Sequence, residues 1–310
     1  MPCFGWAYCC RVVKPRVNGI AVIAVSSVFF GLMAVLTRTL AGQVPATQVA
    51  TLRFAIGAVG CGFLFLFQRR PPDLTQWRLL GMRGVSGGIA VVTYFFAIER
   101  LGAAAATVLN YSSPIYAAAF AAWFLGETST PMKRLGLVVA TSGAVVVAFS
   151  TGSVQNPLVP DLGAVAGVIS AIAGGASMTA IRRLRNTTDA TTVFFAFCIV
   201  GVLVSFPLAA PGWVPMSNKS MLICLAVGVL SIAGQLLFTY GMGFTTATAG
   251  SATTQLVPAV AWTLALGWLG EPVTALGVLG AVLCVSGVLL GVVSWNGRVD
   301  EAQEVEVKEG

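Results

Sequence analysis

Two short polar clusters lie inside otherwise apolar stretches of the sequence, and their residue types suit the binding of a small polar molecule. The first is residues 110–113, directly before Pro114, and the second is residues 254–255, shortly before Pro258. Amides, hydroxyls and phenols can donate and accept hydrogen bonds without carrying a charge at neutral pH. In hydrocarbon such groups must be buried in protein or line a wet cavity. The candidate ligands for a neutral or zwitterionic solute are therefore Asn110, Tyr111, Ser113, Thr254 and Gln255.

The composition indicates that both clusters lie in a chain built for a lipid bilayer. Of 310 residues, 57% are hydrophobic and 9% are charged, whereas a soluble domain carries about 25% charged residues. Because roughly 20 apolar residues cross a bilayer, the apolar runs predict ten transmembrane helices. Their predicted ranges are 17–39, 45–67, 76–97, 103–124, 133–150, 160–181, 190–209, 219–240, 247–268 and 273–294. The predicted fold class is an all-α membrane protein.

The basic residues predict the orientation of these helices. With the N-terminus in the cytoplasm, most of the 18 Lys and Arg, including Arg83, fall on cytoplasmic segments, and Arg53 alone lies within a span. Positively charged loops stay on the cytoplasmic side, so we expect both termini in the cytoplasm and the chain in the cell (inner) plasma membrane. The net charge of +7 then reflects topology, and we expect no nucleic-acid partner. A monomer and a homodimer both stay open.

The chain contains the same half-unit twice. Shifted by 144 positions, residues 103–147 fall on 247–291 without a gap. The identical pairs include Pro114 with Pro258, Leu125-Gly126-Glu127 with Leu269-Gly270-Glu271, Gly136 with Gly280, and Ser142-Gly143 with Ser286-Gly287. Five spans per half is an odd number, so the second half enters the membrane from the opposite face. The sequence therefore predicts ten transmembrane helices as two inverted five-helix repeats.

This division gives four segments. Residues 1–16 form a cytoplasmic N-terminal head, 17–153 the first five-helix repeat, 154–296 the second, inverted repeat, and 297–310 an acidic cytoplasmic tail. Two near-equivalent halves of opposite orientation can exchange conformations, which is the basis of alternating access. Pro114 and Pro258 each leave a carbonyl one turn earlier without its usual donor. We expect kinks at both prolines and treat them as gating points.

The ordered motifs, together with Leu52-Arg53-Phe54 early in the second span, resemble those of the EamA-type members of the drug/metabolite transporter superfamily over about residues 17–294. The resemblance implies a secondary carrier, often an exporter of amino acids or other small metabolites. It also implies a central cavity lined mainly by the first, third, fourth, sixth, eighth and ninth helices. On those helices it adds candidate lining residues, namely Thr93, Tyr94, Gln235, Thr239, Tyr240, Ser26, Ser170 and Ser177.

A structural role is the alternative for each of these polar residues. A lone Ser or Thr can donate a hydrogen bond to a carbonyl of its own helix. A primary amide cannot satisfy all its donors and acceptors locally. Asn110, Gln235 and Gln255 therefore either line a cavity or join neighbouring helices.

The charged residues in or near the spans leave similar alternatives. Arg53 lies about eight residues inside the outer end of the second helix, roughly 12 Å at 1.5 Å per residue, and Glu99 is the nearest candidate counter-ion in depth. Arg53 either pairs with Glu99 or helix-end carbonyls, or it forms a gate or an anion site. Glu127 and Glu271 fall at opposite membrane faces, where we expect them to cap the following helix or bind loop amides as structural or gating residues.

No constellation of residues indicates an enzyme. The sequence has no His, no Cys pair at metal-ligand spacing, no phosphate-binding Gly-rich loop with Lys and no carboxylate pair. The lack of a P-loop also argues against an ATP-driven pump. We expect no cofactor and no metal, and a secondary transporter whose partners are the bilayer and a small-molecule substrate. Small polar metabolites such as amino acids fit best; drugs, organic cations, nucleoside-like metabolites and, less well, a channel are the alternatives.

Overall fold

The computed structural model describes residues 18–40, 42–101, 109–127, 130–150, 162–269, 274–287 and 289–290. The predicted head, the acidic tail and the link between the two repeats lie outside these ranges. The predicted division into four segments therefore stays a prediction.

Helices make up the fold, and the described ranges contain no strand. In chain order they are α1 (Gly19–Thr39), α2 (Ala46–Gln68), α3 (Trp77–Leu101), α4 (Ser113–Leu125), α5 (Pro131–Ser150), α6 (Leu162–Leu184), α7 (Ala190–Ala209), α8 (Asn218–Gly241), α9 (Ala247–Thr253), α10 (Leu256–Leu269) and α11 (Ala275–Gly287). Six of these, namely α1, α2, α3, α6, α7 and α8, are long and apolar enough to cross a bilayer. The all-α prediction is confirmed for this part of the chain, and the count of ten spans stays a prediction.

Large apolar side chains cover the outside of the helix bundle. Phe67 is 89% exposed, Trp123 is 78% exposed and Leu66 is 75% exposed. Soluble monomers rarely expose wide apolar surfaces. Lipid-facing surfaces are apolar because hydrocarbon cannot hydrogen-bond to polar groups. The exposed side chains therefore indicate a bundle whose outer surface contacts lipid.

Polar side chains mark the beginnings of several helices. The carboxylate of Asp189 accepts a hydrogen bond from the Thr192 amide at 2.9 Å and caps α7. The hydroxyls of Ser217 and Thr246 cap α8 and α9 in the same way. At the other end of a helix, Gly126 ends α4 with a φ of 64°, a left-handed conformation that glycine adopts without steric cost. These caps satisfy backbone groups that hydrocarbon could not.

The fourth and ninth predicted spans are interrupted, whereas the sequence predicted continuous helices with kinks at the prolines. Turns at residues 111–112 and 254–255 separate the helical segments on either side. The amide of Gln255 bonds to the Ala252 carbonyl at 3.1 Å, three residues back instead of four. Proline has no N–H and its ring displaces the carbonyl four residues earlier. The interruptions therefore lie about one turn before Pro114 and Pro258.

Helices of one repeat pack mainly against helices of the other. The closest pairs are α3 with α6, α1 with α8, and α2 with α7, followed by α3 with α7, α4 with α6 and α1 with α10. Under the 144-residue offset, the pair α3 with α6 corresponds to α8 with α1, and the pair α4 with α6 corresponds to α10 with α1. Helices α2 and α7 correspond to each other. The packing therefore has the symmetry that the duplicated sequence predicts.

Close glycine contacts between α5 and α11 show this symmetry at the level of single residues. A Cβ atom added to Gly143 would lie 2.7 Å from the carbonyl oxygen of Gly280, and one added to Gly287 would lie 2.7 Å from that of Gly136. Each residue of the first contact is the counterpart of a residue in the second. A two-fold axis produces this exchange of partners. A pseudo-two-fold axis therefore passes between α5 and α11.

The contact between α2 and α7 follows the same rule. A Cβ atom on Gly57 would lie 2.6 Å from the sulfur of Cys198, and one on Gly201 would lie 2.7 Å from the ring of Phe54. Gly57 corresponds to Gly201, and Phe54 corresponds to Cys198. The pseudo-two-fold axis therefore also crosses the bundle between α2 and α7.

The glycine contact at α5 and α11 gives a test of the fold. Gly143→Ala is expected to destabilise the protein by about 1–3 kcal/mol, because the new methyl group meets backbone atoms that cannot move independently. Thermal unfolding in detergent measures the loss. Gly81→Ala is the matched control, because a Cβ atom there meets no atom within 4 Å. Equal melting temperatures for the two variants would contradict the close approach.

Candidate functional site

The interruptions of the fourth and ninth spans meet at one place, which we call the junction (residues 109–113 and 253–256). The side-chain amide of Gln255 donates to the backbone carbonyl of Tyr111 at 2.7 Å and to the hydroxyl of Thr141 at 3.1 Å. Gln255 and Tyr111 are counterparts, 144 residues apart. Gln255 is fully buried, and its oxygen has no hydrogen-bond partner among the described residues. The junction thus contains a hydrogen bond that joins the two interrupted helices, and one side-chain oxygen that has no partner in the described part of the chain.

Asn110 extends the junction toward α6 and α3. Its amide donates to the hydroxyl of Ser170 at 2.7 Å, and that hydroxyl donates to the carbonyl of Ala90 at 2.7 Å. Ser113 is also buried, beside Gly174 of α6. Of the predicted ligands, the structure therefore brings Asn110, Tyr111, Ser113, Ser170 and Gln255 together with Thr254.

Several predicted lining residues bond locally instead. The hydroxyl of Ser26 donates to the carbonyl of Ile23 at 2.7 Å, and Thr93 donates to Ile89 at 2.7 Å. Thr254 donates to the carbonyl of Ser251 at 2.6 Å. These are bonds within one stretch of helix, the structural role that we named as the alternative for Ser and Thr.

The predicted residues on α8 differ in what they contact. Thr239 is buried, and its hydroxyl has no partner in the described part of the chain. Gln235 is half-buried, and no hydrogen bond joins its amide to another described residue. Tyr240 is 40% exposed, with its ring 5.0 Å from the Phe244 ring at the end of α8. Among the described residues, Gln235 and Thr239 therefore have polar atoms without a hydrogen-bond partner, while Tyr240 lies near the surface.

Tyr94 and Ser177 lie along the contact between α3 and α6. Tyr94 packs with Ala97 and Ala166, and its ring lies 5.8 Å from that of Phe95. Ser177 is buried and accepts a hydrogen bond from Arg83 at 2.5 Å. Tyr94 therefore lies near the junction, within electrostatic range of the Tyr111 side chain, whereas Ser177 lies beside Arg83.

Arg83 corrects the sequence-based topology, which placed this residue on a cytoplasmic segment and made Arg53 the one charge within a span. The structure places Arg83 inside α3 with its side chain 3% exposed. Its guanidinium lies 3.8 Å from the centre of the Phe197 ring. Arg83 is six residues from Trp77, where the helix starts, or roughly 9 Å along the axis. The position of Arg83 inside the helix could have indicated its burial from the sequence. Counting basic residues by loop instead assigned Arg83 to a cytoplasmic segment.

Arg53 is half-buried and contacts apolar groups. One terminal nitrogen lies 4.0 Å from the sulfur of Met33, and the guanidinium carbon lies 4.9 Å from the centre of the Phe54 ring. Among the described residues, no carboxylate pairs with it. The side chain of Glu99 lies outside the described residues, so the predicted Arg53–Glu99 pair stays a prediction.

Glu127 connects three helices at one end of the bundle. Its two carboxylate oxygens accept from the amide of Ala247, the first residue of α9, at 2.9 and 3.1 Å. The side-chain nitrogen of Arg182, near the end of α6, lies 3.6 Å away as an ion pair. Glu127 thus binds the amide of a distant segment, 120 residues along the chain, and not the start of the following helix. Glu271 lies outside the described residues.

The hydrogen bonds of Gln255 predict that its substitution destabilises the protein more than substitution of a neighbouring junction residue. Gln255→Leu removes both donors and leaves the Tyr111 carbonyl without this partner, which is expected to cost about 1–3 kcal/mol of stability. Ser112→Ala is the matched control, because the Ser112 hydroxyl donates only to the Leu109 carbonyl of the preceding turn. Thermal unfolding in detergent compares the two variants. If both unfold at the same temperature, Gln255 does not hold the junction together.

Comparison with known proteins identifies relatives of the whole chain. The chain is 29% identical over 278 residues to the pseudopaline exporter CntI of Pseudomonas aeruginosa, covering 86% of this chain and 93% of the exporter. It is 27% identical over 243 residues to a probable terminal-alkyne amino-acid exporter of Streptantibioticus cattleyicolor, covering 78% and 80%. A crystal structure that is 19% identical in sequence matches the fold with a TM-score of 0.76, over 90% of this chain and 99% of the other.

The model of the EamA-like transporter family matches the sequence twice, at residues 17–149 and 161–293. The two matches begin 144 residues apart, the offset at which Gln255 meets Tyr111. This confirms the resemblance to the drug/metabolite transporters that the motifs indicated. The chain belongs to the EamA-like transporter family and is a membrane transporter of that type.

Proposed function

We propose that the chain is a secondary exporter or exchanger of small polar metabolites such as amino acids, and that it works by alternating access without enzymatic activity. The observation that carries the proposal is the junction, where two interrupted helices bring polar groups together inside an apolar bundle. Gln255 retains an unused acceptor there. Interrupted helices at the interface of two repeats are typical of substrate sites in transporters. Two relatives named as exporters support the proposal.

The proposed architecture is ten spans in two inverted repeats. The duplicated family match and the exchanged glycine contacts support it. With five spans in each repeat, the pseudo-two-fold axis lies in the membrane plane. We further propose that both termini are cytoplasmic and that the protein resides in the plasma membrane, since this orientation leaves most basic residues inside.

The inverted symmetry suggests how the two ends of the bundle open in turn. Glu127 closes one end by holding the Ala247 amide beside Arg182. Under the 144-residue offset, the sequence counterparts of Glu127, Arg182 and Ala247 are Glu271, Arg38 and Ala103. We propose that the two glutamates form alternative closures, one at each membrane face. Each breaks when the other forms, so the junction communicates with one side at a time.

Counterflow in liposomes tests the function. Purified protein is placed in vesicles preloaded with an unlabelled amino acid, and entry of the same labelled amino acid is followed. A carrier gives saturable flux that rises with the internal load, whereas a channel gives flux that does not saturate. A panel of amino acids, nucleosides and organic cations identifies the class. Movement of hydrophobic cations alone, with no amino acid, contradicts the proposal and favours a drug exporter.

The closure at Glu127 predicts a graded effect of substitution. Glu127→Ala removes both acceptors for the Ala247 amide and is expected to lower the counterflow rate about tenfold or more, because a charged hydrogen bond contributes about 1.5–3 kcal/mol. Glu127→Gln keeps one acceptor and is expected to retain more activity. Asp73→Asn is the control, since the Asp73 carboxylate accepts only from Thr75 in an exposed loop. Equal rates for all three variants would argue against the closure.

A further inference from the structure

Two arginines approach the same pair of aromatic rings inside the bundle. The rings of Phe54 and Phe197 meet edge to face, with their centres 5.0 Å apart. The guanidinium of Arg53 lies 4.9 Å from the Phe54 ring, and that of Arg83 lies 3.8 Å from the Phe197 ring. Both guanidinium groups are within electrostatic range of the thiol of Cys198, which belongs to the same cluster. We call these five residues the arginine cluster.

Among the described residues, no carboxylate pairs with either arginine of this cluster. The chain has 11 Asp and Glu, and three of those described are engaged elsewhere: Asp73 with Thr75, Asp189 with the start of α7, and Glu127 with Ala247. Glu99 follows Arg83 by sixteen residues on the same helix, roughly 24 Å along its axis. One glutamate at that depth could serve at most one of the two arginines.

The environment of each guanidinium makes this shortage of negative charge costly. The side-chain Nε atoms of both Arg53 and Arg83 are buried and have no hydrogen-bond partner in the described part of the chain. Arg83 has the Ser177 hydroxyl and the Phe197 ring as neighbours, neither of which carries a charge. A buried cation without a counter-charge is strongly disfavoured in a low-dielectric interior. An anion that enters the bundle would remove that penalty.

The cluster lies close to the pseudo-two-fold axis. Arg53 and Phe54 are within about one helical turn of Gly57, where the pseudo-two-fold axis crosses between α2 and α7. Transporters bind substrates at the interface of their two repeats. The positive charge is confined to the first repeat, because Arg53 corresponds to Phe197 and Arg83 corresponds to Val227. Residues that only maintained the fold common to both repeats would not need to differ in charge between them.

We propose that Arg53 and Arg83 form an anion site that binds the carboxylate of the exported metabolite. This inference rests on the proposed function and narrows its substrate class from polar metabolites to carboxylates. Arg53 is the more exposed of the two and contacts the carboxylate directly. Arg83, held by Ser177 and Phe197, adds the second positive charge.

Binding in detergent tests the site without requiring transport. The probes are alanine, leucine, phenylalanine and glutamate, each compared with its amide, in which the carboxylates are replaced. The acids are expected to raise the melting temperature of the protein and the amides are not. Arg53→Gln and Arg83→Gln are expected to weaken acid binding about tenfold or more. Arg78→Gln, an exposed arginine on the same helix, is the control that keeps full binding.

An internal carboxylate provides a second test that removes neither arginine. Cys198→Asp places a negative charge within electrostatic range of both guanidinium groups and is expected to leave the fold stable while abolishing the response to amino acids. Cys224→Asp is the matched control, because this buried thiol of α8 lies in an apolar cluster. It is expected to unfold at a much lower temperature. Equal destabilisation by the two substitutions would overturn the proposal.

Two further outcomes separate the site from the function. If wild-type protein binds acids and amides equally, or the Arg→Gln variants keep the preference for acids, the arginines are structural and the anion site is wrong, even where liposomes show counterflow. If the acid preference depends on both arginines but no probe moves across the liposome membrane, the anion site stands and the proposed export function fails.

Discussion

Hydrocarbon offers no hydrogen bonds, and this constraint governs the whole structure. Prolines at two equivalent positions interrupt two helices, and each interruption frees backbone groups that lipid cannot satisfy. The protein resolves part of this by turning the interruptions toward each other, so that the amide of Gln255 binds the carbonyl of Tyr111. The side-chain oxygen of Gln255 stays buried there without a partner among the described residues, so it can accept a hydrogen bond from a polar solute.

The same constraint explains why the two repeats differ where they do. Residues that fix the packing, such as Gly143 and Gly287 at the crossing of α5 and α11, are shared. Residues with polar or charged side chains near the axis are not, since Tyr111 corresponds to Gln255 and Arg53 corresponds to Phe197. Two repeats that share their packing residues can exchange conformations in both directions. Because their polar residues near the axis differ, the protein can still recognise one kind of molecule.

Much of the fold could be predicted from the sequence, because the repeated motifs identified the family and the apolar runs located the helices. The position of the helix interruptions could not, since proline predicts a disturbance within a turn and tertiary contacts select the residue. The burial of Arg83 was also missed, because the count of basic residues per loop assigned it to a cytoplasmic segment although it lies inside α3. A helix that is apolar on nearly all sides gives little periodicity from which to assign its faces, so the sequence did not distinguish Ser26, which bonds within its own helix, from Ser170, which joins three helices.

Access to the junction from the two sides of the membrane tests the central claim most directly. A single cysteine is introduced as Ser112→Cys, at a junction residue that is not a proposed ligand, in a chain whose seven native cysteines are replaced. Its reaction with a membrane-impermeant thiol reagent is then measured from each side. Alternating access predicts labelling from either side, with one side favoured over the other when a transported amino acid is added. Labelling from one side only under all conditions, or equal labelling from both sides that the amino acid does not change, would contradict it.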